Sequence, residues 1–324
     1  MPASTTTLLV LGDPLDPHLA MLSRLPGRPR VVTGRRPEAF TEAAPAADAM
    51  LSWFAARDLI EPVLAMSPRV RWIHSSSVGV EAVLFPALIE SDITLTHARG
   101  AFSPALGEFV IAAMLHFAKD LPRMERSRRE GRWDQFDVDM LEGATLGIVG
   151  YGDIGRAIAQ RARAFGMRIF ALRRHRERSC GDPLVDRAFA AEELREMLAA
   201  CDYVAAALPL TPETRGLIGE RELAVMKSSA VLVNVGRGPS IDEAALVRAL
   251  ERKQIRGAAL DVFDQEPLPA GHPFYRLENV LLSPHTADHT AGWLERSMEV
   301  FLANFERFQE GKPLLNVVDK RLGY

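Results

Sequence analysis

Cysteine is nearly missing from this chain: there are two in 324 residues, Cys180 and Cys201. Two thiols cannot make a disulfide framework, and their scarcity fits a reducing compartment. Long apolar runs are missing too. The most lipid-like window, FVIAAMLHFA (109–118), is about half the length a helix needs to span a bilayer. The N-terminal MPASTTTLLVLGDPLD has no basic leader region and reads as a strand followed by a turn, not a signal peptide. Neither sign of charge dominates, since 39 Lys and Arg against 42 Asp and Glu leave −3. That balance excludes the broad basic field of a nucleic-acid binder. The arginine-rich RMERSRREGRW (123–133) mixes cations with acids and reads as a solvated helix face. What remains is an ordinary composition, 48% hydrophobic and 25% charged, long enough for two domains. The expectation is a cytoplasmic protein that binds neither nucleic acid nor membrane, with no metal site.

Short apolar runs recur along the chain: TLLVL (7–11), RVVT (30–33), AMLSWF (49–54), RWIHS (71–75) and ITLTH (93–97). A second series follows: LGIVG (146–150), MRIFAL (167–172), YVAAAL (203–208), AVLVNV (230–235), GAALDV (257–262) and VLLSP (280–284). Continuous runs suggest strands buried on both faces, and alternation with helical patterns predicts parallel sheets built from βαβ units. The fold class is therefore α/β, with two Rossmann- or flavodoxin-like domains and the active-site cleft between them. SPALGEFVIAAMLHFAKDL (103–121) predicts one long helix joining the domains, with Ser103 as N-cap and Pro104 at the first helical position. A helix over 290–311 would return the chain to the first domain. The predicted boundaries are 1–100 with 290–324 for a substrate domain and 101–289 for a dinucleotide-binding domain. No internal repeat or low-complexity stretch stands out.

VGYGDIG places Gly150, Gly152 and Gly155 directly after a strand and at the start of a helix. This is the context in which G-x-G-x-x-G binds a dinucleotide. Gly150 allows the tight turn, Gly152 lets the backbone approach a pyrophosphate, and Gly155 lets helix and strand pack closely. The N–H groups of Asp153 and Ile154 would then face the anion at the helix N-terminus. A whole domain's length precedes these glycines, unlike the L-lactate and malate dehydrogenases, which begin with their cofactor fold.

Hydride exchange on a hydroxy or keto acid needs a cation for the carboxylate, an acid–base group, and something to orient that group. Strand ends supply three candidates: Arg237 in NVGRGPSIDE, Glu266 in DVFDQEPL and His285 in LLSPHTA. Gly236 and Gly238 would leave the Arg237 side chain unobstructed, and Ser240 with Glu243 has the pattern of a capping box. A guanidinium can hold a carboxylate bidentately, and a carboxylate beside an imidazole favours its protonated form.

VGYGDIG, LPLTPETRGLIG, VNVGRGPSIDEAAL, GAALDVFDQEPLP and SPHTA, in this order and spacing, resemble the D-isomer-specific 2-hydroxyacid dehydrogenase family. The resemblance runs from about residue 70 to the end; the earlier residues match in pattern only. It implies reduction of small 2-keto acids, as in glyoxylate and hydroxypyruvate reductases, with Arg237 binding substrate, His285 donating the proton and Glu266 bonded to His285. It further implies that backbone N–H groups near Val78 and Gly79, in SSSVGVEAV, hold the substrate carboxylate. Asp261 would face the nicotinamide carboxamide, while Leu208, Pro209 and Val235 line the cofactor groove. Glu81 departs from the family, where many members have Asp. A homodimer formed through the cofactor domain is also implied, with 121–136 in the contact.

Formate dehydrogenases of this architecture pair their histidine with glutamine, which Glu266 argues against. Phosphite dehydrogenase and dinucleotide-sensing corepressors retain the same three residues and remain alternatives; the absence of extra tails favours the enzyme. One stretch bears on the cofactor itself. An NAD-selective unit carries an acid about 20 positions past the glycines to accept from the ribose 2′-hydroxyl. Here MRIFALRRHR puts Arg173 at 18 residues after Gly155, followed by Arg174, His175 and Arg176. Arginines there predict a preference for NADP(H) over NAD(H), carried by Arg173 and Arg174.

Overall fold

The computed structural model describes residues 6–179 and 181–324. Cys180 lies outside them, and Cys201 is a free thiol whose burial pushes it up to about 12. The chain divides into two compact units, one running to Phe102 and resuming at Ala291–Tyr324, the other Ser103–Thr290.

In the first unit, β1 (Thr7–Leu11), β2 (Arg30–Gly34), β3 (Ala49–Ser52), β4 (Trp72–Ser75) and β5 (Thr94–His97) form a parallel sheet in the order β2-β1-β3-β4-β5. This is the flavodoxin-like winding. β1, β3 and β4 are buried throughout because both faces of the sheet are covered. One face packs on α1 (Arg57–Ala65) and α2 (Pro86–Ile89) through Ile60, Val63 and Leu88. The other is covered by α9 (Trp293–Gln309), whose Met298, Phe301 and Phe305 are fully buried. Trp72 stacks on Phe301 with centroids 5.4 Å apart. The final segment is tied to the same unit: Val318 N donates to Leu95 O at 2.9 Å, and the Lys320 ammonium donates to the carbonyls of Leu88, Ser91 and Ile93.

The second unit holds β6 (Thr145–Val149), β7 (Arg168–Leu172), β8 (Arg187–Phe189), β9 (Tyr203–Ala206), β10 (Val231–Asn234), β11 (Gly257–Leu260) and β12 (Val280–Leu282). They are all parallel, in the order β12-β11-β10-β9-β6-β7-β8. Winding runs outward from β6 to β8 and then resumes on the other side at β9. That reversal is where open α/β sheets bind their ligands. Its helices are α3 (Ser103–Ala118), α4 (Leu121–Arg129), α5 (Asp153–Ala164), α6 (Leu194–Ala200), α7 (Glu220–Val225) and α8 (Glu243–Glu251).

Three local expectations are corrected. The run 103–121 is not one connecting helix: α3 ends at Ala118, and Asp120, at φ 46°, caps a new helix by accepting from Arg123 N. α3 belongs wholly to the second unit and packs on α5, where a Cβ on Gly107 would lie 3.1 Å from Ala157 O. Ser103 is the first residue inside α3, and its hydroxyl donates to the Asp153 carboxylate. The edge strand β8 was not anticipated, because three residues with an exposed arginine carry too little apolar pattern.

Candidate active site

The cofactor side begins where β6 ends. Gly150 has φ +99°, a backbone open to glycine and strained for other residues, and the N–H groups of Gly150 and Tyr151 both donate to Leu172 O at 3.1 Å. The turn is thus hung on the end of β7. A Cβ on Gly155 would meet Gly150 O at 2.6 Å, whereas one on Gly152 would meet nothing within 4 Å. The middle glycine therefore leaves an open cradle at the N-terminus of α5, which starts at Asp153 and continues through Ile154. Leu208 borders it, since a Cβ on Gly150 would lie 2.9 Å from the Leu208 side chain. Pro209 is half-buried and Val235 buried.

The four charged residues after β7 are not equivalent. Arg174 Nη2 lies 3.6 Å from Glu213, His175 Nδ1 3.3 Å from Glu177, and Arg176 Nη1 3.2 Å from Glu193. Arg173 is half-buried, its N–H donates to Phe189 O at 3.1 Å, and its guanidinium makes no hydrogen bond or ion pair among the described residues. It lies close enough to Tyr151, in the glycine turn, to oppose the upward push that burial and Asp182 exert on that phenol.

The chemical side is assembled from the ends of β10, β11 and β12. After β10, Arg237 is half-buried, with Nη1 donating to Gly236 O at 2.8 Å. Asn234 shapes this turn by accepting from Gly236 N at 3.0 Å and donating to Arg237 O at 3.1 Å. The flanking glycines have a different purpose from freeing the arginine. A Cβ on Gly236 would lie 2.7 Å from the Leu208 backbone, and one on Gly238 only 1.9 Å from the carbonyl carbon of Phe263. Neighbouring chain segments pass there too closely for any side chain. The expected capping box is also replaced: Asp242 caps α8 by accepting from Ala245 N, and Ser240 Oγ donates to Arg237 O.

Glu266 and His285 meet directly. The ring Nδ1 donates to Glu266 Oε2 at 2.6 Å, and Glu266 Oε1 accepts from Phe263 N at 2.9 Å. Both side chains remain partly exposed, 35% for Glu266 and 45% for His285, which leaves the opposite ring edge reachable. His285 has φ +54°, a conformation costing of order 1–3 kcal/mol for a residue with a side chain. Asp261 offsets that strain, as its Oδ1 accepts from Ser283 Oγ (2.6 Å), Thr286 N (2.9 Å) and Ala287 N (3.1 Å).

That role for Asp261 was missed in the sequence, because it follows from strand register. Leu260 of β11 pairs with Leu282 of β12, so the next residues, Asp261 and Ser283, must be neighbours. Asp288 was missed as well: its Oδ1 is buried without a hydrogen-bond partner among the described residues, and burial raises its carboxyl above the ordinary range. Val78 and Gly79 lie in the first unit, in the loop after β4, where Val78 O accepts from His97 Nδ1 at 2.7 Å.

The family profile described as D-isomer specific 2-hydroxyacid dehydrogenase, NAD binding domain, matches residues 111–287, more than half of the chain. The chain belongs to the D-isomer specific 2-hydroxyacid dehydrogenase family. As a member it is an NAD(P)-dependent enzyme acting on 2-keto or 2-hydroxy acids. A glyoxylate reductase of Aeropyrum pernix is 36% identical over 271 residues, covering 80% of this chain and 79% of that one. A D-3-phosphoglycerate dehydrogenase of Methanocaldococcus jannaschii is 32% identical over 320 residues, covering 96% of this chain and 59% of that one. The crystal structure of a D-isomer specific 2-hydroxyacid dehydrogenase from Xanthobacter autotrophicus Py2, in complex with NADPH and MES, superposes with a TM-score of 0.85 at 30% identity, over 99% of this chain and 100% of that one.

The residues present fit a nicotinamide dinucleotide. The Gly152 cradle is open, it lies at a helix N-terminus, and a close-packed Gly155 holds the turn in place. No helix among the described residues is long and apolar enough to cross a membrane.

Proposed function

We propose that this dehydrogenase reduces small 2-keto acids such as glyoxylate and hydroxypyruvate to the D-2-hydroxy acid, preferring NADPH to NADH. The observation that carries the reading is the His285–Glu266 pair, 2.6 Å apart, held on a left-handed backbone by Asp261. Gly150, Gly152, Asp153, Ile154 and Gly155, with Leu208, Pro209 and Val235 along the groove, would hold a reduced nicotinamide dinucleotide, which would supply the hydride. The protein's own groups do the rest. Arg237 holds the substrate carboxylate and polarises the carbonyl oxygen.

His285 uses its two nitrogens for different purposes. Nδ1–H is committed to Glu266, so Nε2 gives its proton to the oxygen as the hydroxyl forms. Glu266 orients the ring through that bond. Asp261 keeps the loop in place, and it would face the carboxamide of a bound nicotinamide.

Arg173 supports the NADPH preference, being the cation after β7 with no protein partner among the described residues; the Xanthobacter relative holds NADPH. Arg174 contributes less, because Glu213 competes for it. A homodimer through the second unit is part of the proposal, with Leu121, Met124 and Trp133, the last 92% exposed, in the contact. A monomer at micromolar concentration would contradict that part.

The deciding experiment is a panel of glyoxylate, hydroxypyruvate and pyruvate with each cofactor, and chiral analysis of the product from hydroxypyruvate. D-glycerate formed faster with NADPH is the expected result. L-glycerate, or no turnover of any member, would overturn the reading.

A further inference from the structure

Glu243 opens α8, yet it does not cap it. Asp242 already accepts from Ala245 N at 2.9 Å, so the carboxylate of Glu243 is free for another purpose. Its Oε1 accepts from the backbone N–H of Asp264 at 2.6 Å, and its Oε2 lies 3.7 Å from His272 Nε2. Both side chains are about one-fifth exposed. Asp264 stands two residues before Glu266, in the segment that Glu266 itself closes by accepting from Phe263 N. On the other side, Gly238 packs against the Phe263 backbone so tightly that a Cβ would lie 1.9 Å away. The segment 263–266 is therefore gripped at three points, and only one of them is the carboxylate that touches His285.

We propose that Glu243 is a positioning residue that braces the Arg237 turn against the 263–266 loop, so that Glu266 meets His285 in the geometry needed for proton transfer. The inference rests on the functional reading above. Placing a carboxylate here is costly: burial, and then the neighbouring charges of Asp264 and Glu266, push Glu243 towards protonation, with the Asp264 N–H and His272 opposing. A residue chosen only to start a helix would not need that environment. An acceptor that must reach Asp264 N would.

The test uses the full chain with Glu243→Ala and Glu243→Gln, measuring hydroxypyruvate reduction at saturating NADPH across pH 5.5–9. The alanine variant should lose roughly tenfold to hundredfold in kcat, as expected when reacting groups are held about an ångström out of place. KM should change by no more than a few-fold. Glutamine keeps a carbonyl acceptor for Asp264 N and should restore most of kcat. NADPH affinity of the enzyme without substrate should be unchanged in both variants. Wild-type kcat in the alanine variant would overturn the proposal. So would a glutamine variant as impaired as alanine, or a loss of NADPH affinity matching the loss of kcat, which would indicate general unfolding. Failure of the wild type to reduce any keto acid would instead overturn the functional reading itself.

Discussion

Around β6 and β7 the ligand edge of the second unit's sheet is made of backbone, whereas at the ends of β10, β11 and β12 it is made of side chains bonded to one another. The glycine turn needs only that three positions lack a Cβ, each for its own reason: a positive φ, an open cradle and a 2.6 Å approach. At the end of β7, the Arg173 guanidinium has no hydrogen-bond or ion-pair partner among the described residues. The other half is a network in which Asn234, Asp261 and Glu266 each hold backbone from a different segment, and His285 is presented on a strained residue. Backbone sites are specified residue by residue. Networks are specified by register and packing, and a change in one member is felt by the next.

This difference predicts separable failures. The largest concerns His285. His285→Asn keeps a residue tolerant of left-handed backbone but removes the acid, and should cost about 10²–10⁴ in kcat while NADPH binding is retained. Equal losses in both would mean the two halves are not separable. Next is Arg237→Ala, which should raise KM and lower kcat together, roughly hundredfold in kcat/KM, because the clamp acts in both ground and transition states. Full activity there would remove the clamp from the account.

A histidine in the first unit sharpens the comparison. His74 is fully buried, with Nδ1 2.7 Å from Thr96 Oγ1, and burial, then His97, lowers its pKa to about 3. The unfolded chain therefore binds a proton below the ordinary value of 6.5 that the native state refuses until about pH 3. Stability from this group is complete above pH 6.5 and falls as pH drops, by about 2 kcal/mol at pH 5. Chemical denaturation at pH 7 and pH 5 should show that loss in the wild type and a smaller one in His74→Gln. An identical pH dependence in the two would contradict it. The last comparison lies within the network: Glu266→Gln keeps one acceptor where Phe263 N and His285 Nδ1 need two, and should lose at least the roughly tenfold in kcat expected of Glu243→Ala. A smaller loss than in Glu243→Ala would mean that Glu243 does not act through Glu266.

Legibility in the sequence follows the same division. The parallel sheets, the glycine turn and the arginine after β7 could be read because each depends on local residue type or on apolar runs of adequate length. β8 and the break after Ala118 could not, since a short edge strand and a left-handed Asp120 leave almost no periodic trace. Arg237, Glu266 and His285 were visible as a set through their spacing and family resemblance, but their support was not. That Asp261 holds the His285 loop, that Gly238 exists for Phe263, and that Glu243 reaches Asp264 are facts of strand register and chain crossing. None is contained in the run of residues around the position concerned.

The central claim is that cofactor choice sits in one half of the edge and chemistry in the other. The most direct measurement is kcat/KM for NADPH and for NADH in the wild type and in Arg173→Asp, with hydroxypyruvate saturating. A charge-assisted bond to a 2′-phosphate contributes roughly 1.5–3 kcal/mol, or ten- to hundredfold. The wild type should therefore prefer NADPH by at least that order, and the variant should lose the preference or invert it while KM for hydroxypyruvate and kcat with its better cofactor stay near wild type. Equal use of the two cofactors by the wild type, or a preference for NADH, would contradict the account.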